Sequence, residues 1–200
     1  MTASPRIRCA TLLLALIALP TAAHAGKTYG FQLWAATTYI APLSETNQNI
    51  GGVTAAVKAS NEMGYAFGGE FRSGLIGLAF DYLHARQDLE HANAGLIGSA
   101  EFNPISATLK LHLPTPVLEL SAGPTVAYVN WGDLDLRNGT KQKLDAKLGY
   151  GFSVGADLPL GRSFAITSGM RWLKVDAKPE SGPEVAVDPL ITHVGVAMRF

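Results

Sequence analysis

The feature that most limits what this chain can become is an alternation of large apolar with small or polar residues, sustained in eight runs from Thr28 to the last residue. A two-residue period is that of a β-strand with one greasy face. It predicts strands over 28–40, 62–71, 74–85, 104–113, 117–131, 144–157, 162–175 and 189–200. The connections sort by length. Residues 41–61, 86–103, 132–143 and 176–188 form long ones, whereas 72–73, 114–116 and 158–161 leave room only for tight turns. An even number of antiparallel strands with long loops at one end and tight turns at the other is the layout of a bacterial transmembrane barrel, with the turns on the periplasmic side.

The faces divide cleanly. In the sixth run Leu144, Ala146, Leu148, Tyr150, Phe152, Val154 and Ala156 oppose Asp145, Lys147, Gly149, Gly151, Ser153, Gly155 and Asp157. Such a pattern fits a lipid-facing membrane barrel or a soluble barrel with an apolar interior. Glycine and alanine crowd the polar face, as they should where eight strands converge on a narrow axis. A surface facing water would favour Lys, Glu and Thr there. The bulky face therefore points to lipid, with Tyr29, Tyr65, Phe71, Tyr82, Tyr128 and Phe164 suited to interfacial girdles. Closure of the first strand on the eighth is required, because hydrocarbon offers no partner to an unpaired strand edge.

Composition agrees. The chain is 48% hydrophobic, and its 16 basic and 16 acidic residues cancel, so nothing argues for nucleic acid as a partner. Residues 1–25 read as a secretory signal: Arg6 and Arg8, the apolar run ATLLLALIAL, and Ala23-His24-Ala25 as a small-x-small site. Cleavage is expected near Ala25, leaving 26–200 as a single barrel domain. The one cysteine, Cys9, falls within the signal, so no disulfide staples the mature chain.

With this facing, the lumen receives Glu70, Asp81, Glu119, Asp145 and Asp157, the bases Lys110, Lys147, Arg171 and Arg199, and His112 and His193. Their signs nearly balance, and ion pairing that fills the lumen is preferred over a charged substrate filter. Trp34 and Trp131 also take the inward parity; they either line an apolar vestibule for a greasy ligand or cap the core. Pro124, outward on the fifth strand, removes a ladder hydrogen bond and marks either a lateral opening or a tolerated bulge.

Catalytic patterns are weak: the histidines beyond the signal, His84, His91, His112 and His193, form no HExxH, and there is no available thiol. There is no GxSxG nucleophile elbow, since the match Gly151-Phe152-Ser153-Val154-Gly155 falls inside the sixth alternating run and not at a strand-to-helix turn. Asp88-Leu-Glu-His91 reads as a solvated loop and Asn138-Gly139-Thr140 as a loop turn. No enzyme activity, metal or cofactor is expected.

The runs SNEMGYAFGGEFRSGLIGLAFDYLHARQ, FNPISATLKLHLPTPVLELSAGPTVAYVNW, AKLGYGFSVGADLPLGRSFAITSGMRWLKVDA and DPLITHVGVAMRF, taken in this order, resemble the outer membrane protein W (OmpW) family over most of the chain. The resemblance implies an eight-stranded outer-membrane barrel that passes small hydrophobic molecules, which enter from outside and leave sideways through the wall. Aligned on GLAFDY and GMRWLKVD, the family's bulky apolar constriction falls on Asp81 and Arg171. That replacement suggests a salt-bridged plug.

Three functions compete on this reading. The first is a narrow channel for small, apolar solutes; the second is a closed interaction barrel whose long loops meet partners; the third, ranked last, is a lipid-modifying enzyme. Membrane lipid and the barrel-assembly machinery are the expected partners, with terminal Phe200 as the assembly signal.

Overall fold

The computed structural model describes residues 30–44, 46–50, 53–91, 95–136, 139, 141–179 and 185–200; the expected signal, Tyr29, Asn138 and Thr140 lie outside them. Eight long strands form the wall: β1 (Phe31–Pro42), β2 (Glu62–Ser73), β3 (Ile76–His91), β4 (Gly95–Pro114), β5 (Glu119–Trp131), β6 (Lys147–Pro159), β7 (Phe164–Lys174) and β8 (Pro189–Arg199). Each pairs antiparallel with its chain neighbours. β1 pairs with β8 from Gln32–Arg199 to Pro42–Pro189, so the sheet closes. No helix among the described residues is long and apolar enough to cross a membrane.

The outer face carries a belt of exposed apolar side chains, among them Phe67, Phe80, Leu109, Val126, Phe152 and Val196. Toward the long-loop end, Tyr39, Tyr65, Tyr82, Tyr128, Tyr150 and Trp172 all take the outward parity near one level, the amphipathic ring expected at a membrane interface. At the tight-turn end, Phe31 packs on Phe71 at 4.8 Å and on Phe200 at 6.0 Å.

The long connections are not irregular loops. β3 and β4 stay paired as far as His91–Gly95, across a bulge at Leu89/Glu90, so most of 86–103 is wall. Thr46–Ile50 and Val53–Ala59 form a hairpin whose second strand pairs with Leu89–His91. Leu134–Leu136 joins the extension of β4, and Asp176–Pro179 pairs with Leu144–Asp145 and Val185–Ala186.

These extensions correct the expected strand ends and one lumen residue. Asp145 is exposed and Leu144 buried, the reverse of the predicted facing, because both belong to the short outer strand Leu144–Asp145 and not to the barrel stave that starts at Lys147. The first tight turn is Gly74-Leu75 and not Arg72-Ser73: Gly74 takes a φ of 63°, which glycine adopts without strain.

Candidate functional site

The interior has two chemistries. In the tight-turn half it is polar. Asp81 of β3 lies opposite Gly68 of β2, where a Cβ would come within 2.8 Å of the Asp81 Cβ, so the glycine gives the carboxylate its room. Arg171 of β7 reaches across the lumen. Its Nη1 donates to Asp81 Oδ2 at 2.7 Å and its Nη2 to Oδ1 at 2.6 Å, the bidentate fork suited to a guanidinium. Nη1 also donates to Ser106 Oγ at 3.0 Å and Nε to Ser153 Oγ at 3.1 Å. Ser153, Thr125 and Thr108 continue as hydroxyl contacts of 2.7 and 2.8 Å around the wall.

A second cluster lies nearer the turns. Glu119 Oε2 accepts from Arg72 Nη1 at 3.1 Å and from Arg199 Nη2 at 2.9 Å. Arg199 also reaches Asp157 Oδ2 at 3.1 Å, while its Nε donates to Gln32 Oε1 at 2.9 Å. Glu70 Oε2 accepts from Lys110 Nζ at 2.8 Å. His112 Nε2 stands 2.6 Å from Glu70 Oε1, a close contact that lacks hydrogen-bond alignment. The four carboxylates Glu70, Asp81, Glu119 and Asp157 thus face the four cations Arg72, Lys110, Arg171 and Arg199. Such pairing makes buried charge tolerable without making it a large source of stability.

Between these clusters lies a cavity of about 30 Å³ bordered by Trp34, Lys110, Asp157, Thr167 and His193, room for water and little else. Trp34 stacks on the His193 ring at 5.4 Å and 18°. Lys147 is half-buried at the start of β6, beside Val129 and away from the charge clusters.

In the long-loop half the interior is apolar. Ile40, Leu83, Phe102, Val129, Leu173 and Ile191 are at most 2% exposed and belong to one cluster. Trp131 sits inside this cluster with its ring 4.9 Å from Phe102, whereas Trp34 packs against the cluster and also lines the polar cavity below. The two tryptophans therefore bracket the apolar half and do not form one vestibule wall.

Pro124 is exposed on the outer face. β5 pairs with β6 straight through it, at Phe152–Pro124, but pairing with β4 lapses between Thr108–Thr125 and Leu111–Ala122. The lapse leaves no gap, since a Cβ at neighbouring Gly123 would collide with the Leu109 carbonyl oxygen. It also lies on the turn side of Asp81, away from the apolar half. The wall at the expected lateral opening is closed.

At the outer rim Asp188 takes a φ of 37°, a left-handed conformation that aspartate tolerates better than most residues. Its Oδ1 accepts from the Val175 amide at 3.1 Å and its Oδ2 from Ser44 Oγ at 2.8 Å and Lys174 Nζ at 3.2 Å. Burial works to raise its pKa, but the Ser44 and Lys174 hydrogen bonds outweigh it and hold the carboxyl below the usual aspartate value.

Sequence reasoning missed Arg72, placed in a turn although its parity matches Glu70, and the hydroxyl contacts around Arg171. Among the described residues no three His, Cys, Asp or Glu side chains are grouped to hold a metal.

No protein-family model matches the chain, and no curated protein matches its sequence significantly. Its fold is similar to three solved outer-membrane structures. OprG from Pseudomonas aeruginosa superposes with a TM-score of 0.76 at 16% identity, over 88% of this chain and 98% of OprG. AlkL, solved in lipid bilayers, gives 0.64 at 22% identity over 91% and 95%. Neisserial surface protein A gives 0.61 at 15% identity over 88% and 100%. The chain therefore has the fold of the small eight-stranded outer-membrane barrels, the architecture that the OmpW resemblance implies.

Proposed function

We propose that this protein is an OmpW-like barrel of the bacterial outer membrane that passes small apolar molecules, with the Asp81–Arg171 layer as its closed point. The change of interior chemistry along the axis carries this reading. An apolar outer half offers a favourable phase to a greasy solute and none to an ion, while the ion-paired half below bars free flow of water and salt. Passage then requires the Asp81–Arg171 pair to part or the solute to leave through the wall.

Planar-bilayer conductance and uptake of an apolar tracer into vesicles test this together. The wild type should admit tracer without ionic current, and Asp81→Ala/Arg171→Ala should add current. Tracer entry no faster than into protein-free vesicles would defeat the reading.

One observation favours a closed interaction barrel as the second reading. The wall continues beyond the tyrosine ring as paired strands, Thr46–Ile50, Val53–Ala59 and the ends of β3 and β4, a raised sheet able to present a partner surface. Partner capture by the wild type, lost when 46–59 is replaced by a short turn while tracer uptake is unchanged, would support it.

A further inference from the structure

The apolar half contains polar side-chain atoms that its own packing leaves unused. Trp131 Nε1, Thr38 Oγ1, and both amide atoms of Gln87 are buried and have no hydrogen-bond partner among the described residues. The residues themselves are 7%, 2% and 2% exposed. They are not scattered. Cross-strand pairing places Thr38, Gly64, Ala85, Phe102 and Trp131 in one inward row across β1 to β5, and Gln87 is the next inward residue after Ala85. Small residues hold the row close-packed between the polar groups: a Cβ at Gly64 would collide with the His84 carbonyl oxygen and stand 2.8 Å from the Ala85 Cβ and 3.0 Å from Thr38 Oγ1.

An unmade hydrogen bond in a buried setting is costly, and a molecule that supplies the missing partner recovers that cost. The donors here are an indole N–H, an amide NH2 and a hydroxyl, and the acceptors an amide oxygen and the same hydroxyl. All are neutral. A charged head would lose its hydration among Phe102, Leu83 and Ile40 with no counter-ion gained from these groups. We infer that the apolar half recognises an apolar chain ending in a neutral oxygen function, such as an alcohol, ketone or ester, whose oxygen is read by Gln87, Trp131 and Thr38. This rests on the apolar-solute reading and narrows its substrate class.

The test measures displacement of the apolar fluorophore 1-N-phenylnaphthylamine from the folded barrel by 1-octanol and by octane. The ratio of the two affinities, compared between proteins, cancels the different hydrophobicity of the probes. Gln87→Met and Trp131→Phe keep shape while removing the polar atoms, and gel mobility before and after heating verifies folding. Combined, they should lower the octanol-to-octane ratio about tenfold, as two lost hydrogen bonds imply; Thr38→Val provides an independent variant should the pair fail to fold. A ratio unchanged in the variants overturns the inference and leaves the apolar-solute reading standing. Failure of the wild type to bind fluorophore, octanol or octane overturns both.

Discussion

Replacing Asp81 alone should destabilise the barrel more than replacing Asp81 and Arg171 together. The carboxylate side chain is 2% exposed and the guanidinium 10%, and two hydrogen bonds of 2.6 and 2.7 Å join them. Asp81→Leu strands a buried cation whose remaining partners, Ser106 and Ser153, are neutral. Removal of one member of a buried pair costs about 3–5 kcal/mol, because the survivor keeps its desolvation penalty. Arg171→Met imposes a similar cost on Asp81. In Asp81→Leu/Arg171→Met neither charge remains and the volume is filled, so the double variant should unfold within about 1 kcal/mol of the wild type. The non-additivity is then several kcal/mol, well beyond the ~0.5 kcal/mol scatter of independent sites. Urea titration of the micelle-bound barrel, followed by tryptophan fluorescence with unfolding and refolding arms that coincide, measures all four proteins. A single-variant cost under about 1 kcal/mol, or a double variant equal to the sum of the singles, would mean that the pair is hydrated and does not seal the lumen.

Three further outcomes are expected. Gly123→Ala, which drives a Cβ into the Leu109 carbonyl, should cost about 1–3 kcal/mol in the same titration, while Gly139→Ala, with open space around it but a φ of 82°, should cost about 1 kcal/mol through backbone strain alone. The lowered pKa of Asp188 means that its contribution is complete above the unfolded aspartate value of 3.8 and is lost as pH falls through the lower folded value. The urea midpoint of Asp188→Asn should therefore approach that of the wild type below about pH 4; a constant difference down to pH 2 would contradict the assignment. Brominated lipid should quench a fluorophore placed by Ile105→Cys or Leu109→Cys but not by Asn103→Cys or Arg86→Cys, locating the outer membrane surface within about 7 Å of strand between 103 and 105.

That boundary explains what was legible in the sequence and what was not. All eight staves and their facing within the membrane follow from a two-residue period and a lipid-facing outer surface, whereas the juxtaposition of Asp81 with Arg171 comes only from the alignment with the OmpW family. Beyond the tyrosine ring the period persists and its polarity inverts. On β3, Phe80 and Tyr82 face out and Asp81 in; farther along, His84 and Arg86 face out and Leu83 and Ala85 in. On β4 the outward face changes from Leu109 and Ile105 to Asn103 and Glu101, and the inward face from Lys110 and Thr108 to Phe102 and Ala100. A search for one continuous greasy face ends at this inversion, so 86–103 reads as a loop. Asp145 is put in the lumen by carrying parity past the break at Ala146, between the short strand Leu144–Asp145 and the stave that starts at Lys147. Arg72 was lost more simply, by ending a strand one inward residue early. The hydroxyls of Ser106, Thr108, Thr125 and Ser153 leave no signal of their own, since small polar residues suit any crowded lumen.

The inversion also separates two meanings of the apolar interior. Once the wall rises out of lipid into water, its inside must become apolar if the protruding strands are to be stable, as in any soluble barrel. Apolar character there therefore follows from folding alone and would be present in a barrel that carries nothing. A core selected only for folding has no use for Gln87, Thr38 or the indole N–H of Trp131. Each unmade hydrogen bond costs about 1–3 kcal/mol, which Leu, Val or Phe at those positions would remove. Their placement on or next to one inward row, which also holds Gly64, Ala85 and Phe102, is what distinguishes an interior built to meet a polar atom from one built only to exclude water.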